Sequence, residues 1–158
     1  MTEPTEKPPQ RPTTKQIGIR RIYAKDTSFE APIRPLEVES SGLNPSISLN
    51  IRSEHSEIGE NLYEVVLIAT VEASTEESTV FLVEVHQAGA FECTDYSETE
   101  LDEILGALCP SQLFPFLREA ICDLVVKGGF PQLQLQPVNF MELYLKRRAT
   151  LDNAQAAS

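Results

Sequence analysis

The apolar pattern of this chain changes period once. Up to Gln87, apolar side chains recur at every second residue in short runs; from Leu101 onward they recur at helical spacing. Two-residue alternation marks strands with one face turned to a core, and a spacing of three or four marks amphipathic helices. Strands that all precede the helices have no crossover helices between them. The sheet is therefore expected to be antiparallel and the class α+β.

The strands are expected at residues 17–30, ending at Pro32, around the Ile47, Leu49 and Ile51 alternation, at 62–71 and at 79–87. In the third, Tyr63, Val65, Leu67, Ala69 and Val71 share one face, while Glu64, Val66, Ile68 and Thr70 share the other. The polar segment 74–78 makes the turn into the fourth. In the second half, Ser97 with Glu100 forms a capping box. The helix behind it uses Leu101, Ile104, Leu105 and Leu108 and is expected to stop at Pro110. A second helix, 112–127, buries Leu117, Ile121, Leu124 and Val125 and ends at Gly128-Gly129, where glycine takes the left-handed exit geometry freely. Asn139 with Glu142 opens a third through Lys146. Residues 1–15 and 150–158 have little to bury and read as a disordered N-terminal tail and a flexible C-terminal tail. One domain, 16–149, lies between them.

Charge narrows the partners. The sequence has 158 residues, with 24 Asp and Glu against 13 Lys and Arg, for a net charge of -11. Such a chain repels nucleic acid and anionic lipid and suits basic partners. No run is long and apolar enough for a membrane span or a secretory signal. Cys93, Cys109 and Cys122, unevenly spaced, fit buried thiols in a reducing, cytoplasmic compartment.

No enzyme signal emerges. His55, in a polar Ser-Glu-His-Ser-Glu stretch read as a loop, and His86, late in a strand, are the only histidines. Neither is set near a cysteine by sequence, and no Cys or His pair has zinc-ligand spacing. Gly128-Gly129 lacks the rest of a phosphate loop. Metal, cofactor and catalytic residues are expected to be none. Two features exceed plain core packing. Asp26, Ser28 and Glu30 share a strand face, which is either ordinary polar-out alternation or an acidic docking strip. The 79–87 strand has apolar residues on both faces, with Leu82 beside Glu84 and His86 on one and Phe81, Val83, Val85 and Gln87 on the other. That pattern points to cover by another subunit.

Three runs carry a family resemblance. Ile22-Tyr23-Ala24-Lys25-Asp26-Thr27-Ser28-Phe29-Glu30-Ala31-Pro32 is similar to the first-strand signature of the SecB chaperone family. Leu113-Phe114-Pro115-Phe116-Leu117-Arg118-Glu119 resembles its second-helix opening. Phe130-Pro131-Gln132-Leu133-Gln134-Leu135-Gln136-Pro137-Val138-Asn139-Phe140 resembles its most characteristic run. Their order and spacing fit, and the similarity spans residues 17–145. The 33–44 loop departs from the family in having no tryptophan; Leu43 stands near that place.

The resemblance implies a four-stranded antiparallel sheet with helices packed on one face. It also implies a homotetramer, a dimer of dimers with helices sandwiched between two sheets. Such proteins hold precursor proteins unfolded in the cytosol and deliver them to the translocation motor SecA. Residue by residue, the resemblance implies a SecA-docking surface at Asp26, Glu30, Leu82 and Glu84. It implies client contacts at Leu43, Ile47, Leu49 and Ile51, and an oligomer interface near Val83, Val85 and Gln87. The Ile47, Leu49 and Ile51 alternation is equally the pattern of a buried strand face. Two alternatives stand beside export: a SecB-like chaperone serving a toxin–antitoxin pair, and an assembly scaffold without a client groove.

Overall fold

The computed structural model describes residues 14–157. Its elements are β1 (Gln16–Glu30), α1 (Pro35–Ser41), β2 (Ser46–Gly59), β3 (Leu62–Ser74), β4 (Thr79–Thr94), α2 (Glu98–Glu103), α3 (Cys109–Lys127) and α4 (Phe140–Ala156). The expected N-terminal tail falls outside the described residues, apart from Thr14 and Lys15. Lys15 Nζ pairs with Glu100 Oε1 at 2.6 Å. No described helix is long and apolar enough to cross a membrane.

Four strands pair antiparallel in the order β1-β4-β3-β2, so β1 and β2 are the edges. The sheet is as expected in class and in pairing sense. Val65, Leu67, Ala69 and Val71 of β3 and Phe81, Val83 and Val85 of β4 face one side. They form the core with Leu113, Leu117, Ile121 and Val125 of α3. Burying such side chains is worth about 1.5–3 kcal/mol each relative to exposure. Beyond α3 the chain returns in extended form to α4. Phe130 on this return packs against Phe81 and Phe29, with ring centroids 5.0 and 6.3 Å away, and so closes one end of the core.

Several boundaries differ from the sequence expectation. β2 runs on through His55 to Gly59, so the polar stretch read as a loop is strand. Ladder bonds to β3 hold it there, and its side chains remain solvated because β2 is an edge. Asn61 makes the tight return with a φ of 55°, a left-handed geometry that Asn tolerates. β4 likewise continues to Thr94 through Ala88, Gly89 and Ala90. α1 was not expected at all: it has no buried residue, and its signals are Pro35 at the start and left-handed Gly42 at the end.

Pro110 does not stop a helix. Glu98 to Lys127 is continuous, because Ile104–Leu108 form a wide π turn. The Cys109 N–H bonds back to the Ile104 carbonyl, five residues earlier. Widening of the turn makes room for the Pro110 ring, which would otherwise collide with the preceding turn. Of the two exit glycines only Gly129 is left-handed, with φ 85°. Gly128 is right-handed; a Cβ there would lie 2.3 Å from the Phe29 ring. α4 extends to Ala156, so residues 150–156, read as a flexible tail, are helical and exposed. Alanines and glutamine support helix there without needing a core.

Val83 and Val85 have no surface left exposed in the single chain. Their burial comes from helices of the same chain, so the second subunit inferred from the strand pattern is not needed to cover them. Val85→Phe is therefore expected to overpack the subunit core and lower its stability by about 1–3 kcal/mol. A thermal melt checks this: an unchanged melt with released, folded subunits would return Val85 to the interface.

Candidate functional site: two faces of one sheet

Residues directly opposite each other in an antiparallel pair point to the same face. On β1 and β4 the opposed pairs are Asp26 with His86, Ser28 with Glu84, and Glu30 with Leu82. The β3 register adds Thr70 beside Glu84 and Glu72 beside Leu82. Asp26, Glu30, Leu82 and Glu84, set on two strands far apart in sequence, thus share one outer surface. The helices lie on the other side. Asp26 and Glu30 are exposed and have no cationic partner among the described residues.

Hydrogen bonds orient the strip. Thr70 Oγ1 donates to Glu84 Oε1 at 3.1 Å, and Thr79 Oγ1 donates to Glu72 Oε1 at 2.8 Å. His86 Nε2 is buried, lacks a hydrogen-bond partner among the described residues, and lies 3.7 Å from Glu84 Oε2. Further along the same face, Glu64 takes a hydrogen bond from Tyr23 and one from Lys25 at 2.8 Å. The Lys25 bond, with that of Tyr23, holds the Glu64 carboxyl below its usual range. Burial, then the bond to Glu64, pushes the Tyr23 phenol up to about 12. Val66, Ile68 and Ala88 with Tyr23 form a small apolar patch at the middle of this face.

The inner face behaves differently at its β2 edge. Leu43, Ile47 and Leu49 keep 40%, 46% and 39% of their surface exposed. Exposed leucine and isoleucine side by side on a strand facing the helix layer are not core. Ile51 is half-buried and packs against the core margin. The row on β2 therefore runs from exposed Ile47 to Ile51, which lines a cavity of about 530 Å³ between β2, the π turn and α4. Phe140, Leu143 and Leu151 of α4 line its other wall. Tyr144 fixes α4 over the π turn. Its hydroxyl donates to Asp102 Oδ2 at 2.7 Å, and its ring fills the place of a Gly106 Cβ, which would lie 2.6 Å from Cδ2. This cavity wall was not found from sequence, because α4 has no clear apolar face: Leu143, Leu145 and Leu151 are all exposed.

Gln87, the third residue expected near subunit contacts, is placed differently from Val83 and Val85. It lines a second cavity, about 1040 Å³, between β1, α3 and the 132–135 return. Phe116 and Val126, both exposed, belong to the same cavity. Cys93 and Cys109 suit no nucleophile. Burial raises the Cys93 thiol and pushes Cys109 up to about 12, far from the thiolate that nucleophilic chemistry uses. No cluster of metal-ligating side chains occurs among the described residues.

The family model for "Preprotein translocase subunit SecB" matches residues 10–150. A protein-export protein SecB from Halorhodospira halophila is 46% identical over 149 residues, covering 91% of this chain and 86% of that protein. One from Nitrosococcus oceani is 46% identical over 143 residues, covering 90% and 87%. Among solved structures, a Mycobacterium tuberculosis SecB-like chaperone, in complex with a peptide from the HigA1 antitoxin, superposes with a TM-score of 0.66. At 18% identity over 77% of this chain and 90% of that one, it shares the fold. With the family model and two relatives each spanning most of its length, this chain belongs to the SecB family.

Proposed function

We propose that this SecB-family chain is a cytosolic export chaperone. In this reading it holds precursor proteins unfolded along the β2 edge and passes them to SecA from the acidic outer face. One observation carries the reading: the two surfaces lie on opposite faces of a single sheet, so a client and a motor can be engaged together.

A holdase must take many unrelated sequences. Apolar burial suits it, being non-directional and worth about 25 cal/mol per Å². Leu43, Ile47, Leu49 and Ile51 supply such surface as a row, and separate weak patches add through multivalency. β2, as an edge strand, also offers backbone groups to an extended chain. On the other face, Asp26, Glu30 and Glu84 attract a basic segment of SecA over several ångströms, while Leu82 gives an apolar contact. The same face is poor at binding polyanions. Assembly as a dimer of dimers is supported by the cavity lined by Gln87, where Phe116 and Val126 are exposed in the single chain. The antitoxin-serving alternative has thinner support, since its structural relative is 18% identical whereas relatives named for export reach 46%. The scaffold alternative leaves the exposed Ile47 and Leu49 without a role.

Three outcomes are expected. Light scattering at micromolar concentration reads a tetramer; a monomer there removes the assembly reading. Asp26→Lys, Glu30→Lys and Glu84→Lys together abolish SecA binding at physiological salt and leave suppression of client aggregation intact. SecA binding equal to that of the unchanged protein would move the docking surface elsewhere. Ile47→Ala with Leu49→Ala keeps a near-normal melt, because both side chains are already partly solvated, and weakens capture of an unfolded precursor. Ile51→Ala costs more stability, because Ile51 packs on the core. A double variant whose melt falls by the about 2–5 kcal/mol typical of core truncation, or which captures clients normally, would defeat the groove.

A further inference from the structure

The two histidines of the chain lie on opposite faces of the sheet. His55 stands opposite Val65, on the helix side. His86 stands opposite Asp26 of β1, inside the acidic strip. On its other flank β3 presents Ile68 opposite it, with Val66 and Thr70 on either side. Glu84 and Ala88 share its face of β4. The nearest cations are already neutralised: Lys25 pairs with Glu64, which Tyr23 also bonds, and Arg52, one strand beyond Ile68, pairs with Glu54. That leaves Asp26 and Glu84 as the charges facing His86, and both are negative.

The imidazole is held where a proton would change its bonding. Nε2 is buried without a hydrogen-bond partner among the described residues, and Glu84 Oε2 lies 3.7 Å from it. The other oxygen, Oε1, already accepts the Thr70 hydroxyl at 3.1 Å. A protonated imidazole donates from both nitrogens. Its charge-assisted bond to a carboxylate is shorter and roughly twice as strong as a neutral one. Closing the gap to Oε2 then occupies both Glu84 oxygens within the chain. The strip keeps Asp26 and Glu30 but presents one negative charge fewer.

We infer that His86 makes the acidic outer face a pH-dependent dock, because its protonation draws Glu84 into an internal pair and loosens the hold on a basic segment. The inference rests on the SecA-docking face proposed above and adds a condition to it. Histidine side chains gain their charge as pH falls from about 8 to about 5. Neutral His86 leaves Asp26, Glu30 and Glu84 all free to attract a cation, so docking is strongest at the upper end of that range and falls toward the lower. By reciprocity, a docked basic segment disfavours the proton on His86. One surface charge is at stake, so the change is on the order of fivefold, and salt reduces it.

The test measures SecA binding to the full chain at low salt, from about pH 8 to about pH 5.5. Ionisations of SecA itself enter every titration alike, so the quantity read is the ratio of the affinity of the unchanged protein to that of His86→Gln at each pH. The ratio is expected to fall about fivefold across the range, because Gln stays neutral. His86→Asn gives a second neutral form, and His55→Gln is expected to behave as the unchanged protein. Melts at both ends of the range confirm that the variants are folded. A ratio that does not move with pH, or a pH dependence lost in His55→Gln and kept in His86→Gln, overturns the switch and leaves the docking face in place. No SecA binding by the unchanged protein at the upper pH, or binding indifferent to the joint Asp26→Lys, Glu30→Lys and Glu84→Lys change, overturns the docking face and the switch with it.

Discussion

The helix layer is narrower than the sheet it covers. α3 lies over β4 and β3, the two central strands, and its apolar residues fill their inner faces. An inner face extended across all four strands cannot be shielded by one such helix. Ile47 and Leu49 on β2, and Ile17 and Ile19 on β1, are left exposed on the side where a core would be expected. The central strands give the subunit its stability, and the margins leave apolar surface uncovered. Because burial energy scales with area removed from water, apolar residues left partly uncovered at the margins retain part of that energy for a ligand.

Strand register does the corresponding work on the outer face. Asp26 and Glu84 belong to strands separated by two others in sequence, and only the β1–β4 pairing sets them on one surface. A slip of one residue would turn the whole set toward the core. Two register shifts in this ladder, between Ile19 and Arg21 and between Ala24 and Asp26, adjust which residues face out. The second falls next to Asp26 and brings Tyr23 to the outer side, opposite Ala88. There its hydroxyl reaches Glu64, so Tyr23 anchors the middle of a face whose end is acidic.

Elements with an apolar period were legible in the sequence. β1, β3, the first half of β4 and α3 all place apolar residues on one side, and the capping box at Ser97 forms with both of its bonds. Elements held by something else were not. The second half of β2 is strand because β3 bonds to it, with no apolar alternation to reveal it. α1 and the end of α4 bury nothing, so their sequences have no face to show. Of the surfaces, the acidic set was legible as alternation within each strand, but its assembly depended on pairing that periodicity does not specify. The Leu43 to Ile51 row was legible as residues and not as exposure, since the same letters describe a buried strand. Val83 and Val85 were legible as the helix-facing side of β4, and α3 covers them there.

The π turn at Ile104–Leu108 governs the angular phase of the long helix. Leu105, Cys109, Leu113, Leu117, Ile121 and Val125 are all buried and recur at every fourth residue. A regular helix has 3.6 residues per turn, so a four-residue repeat creeps around the axis by about 40° per step. Over such a row the apolar stripe would wind away from a flat sheet. The wide turn holds more residues per revolution and takes back part of that winding at the row's beginning. Removing a single residue from this turn would leave every side chain chemically unchanged and yet rotate α2 against α3 by about 100°. Tyr144, Asp102 and α4, which hang on that first segment, would be carried round with it. One apparently surplus residue thus acts as the gear setting that keeps the cavity wall aligned with the sheet.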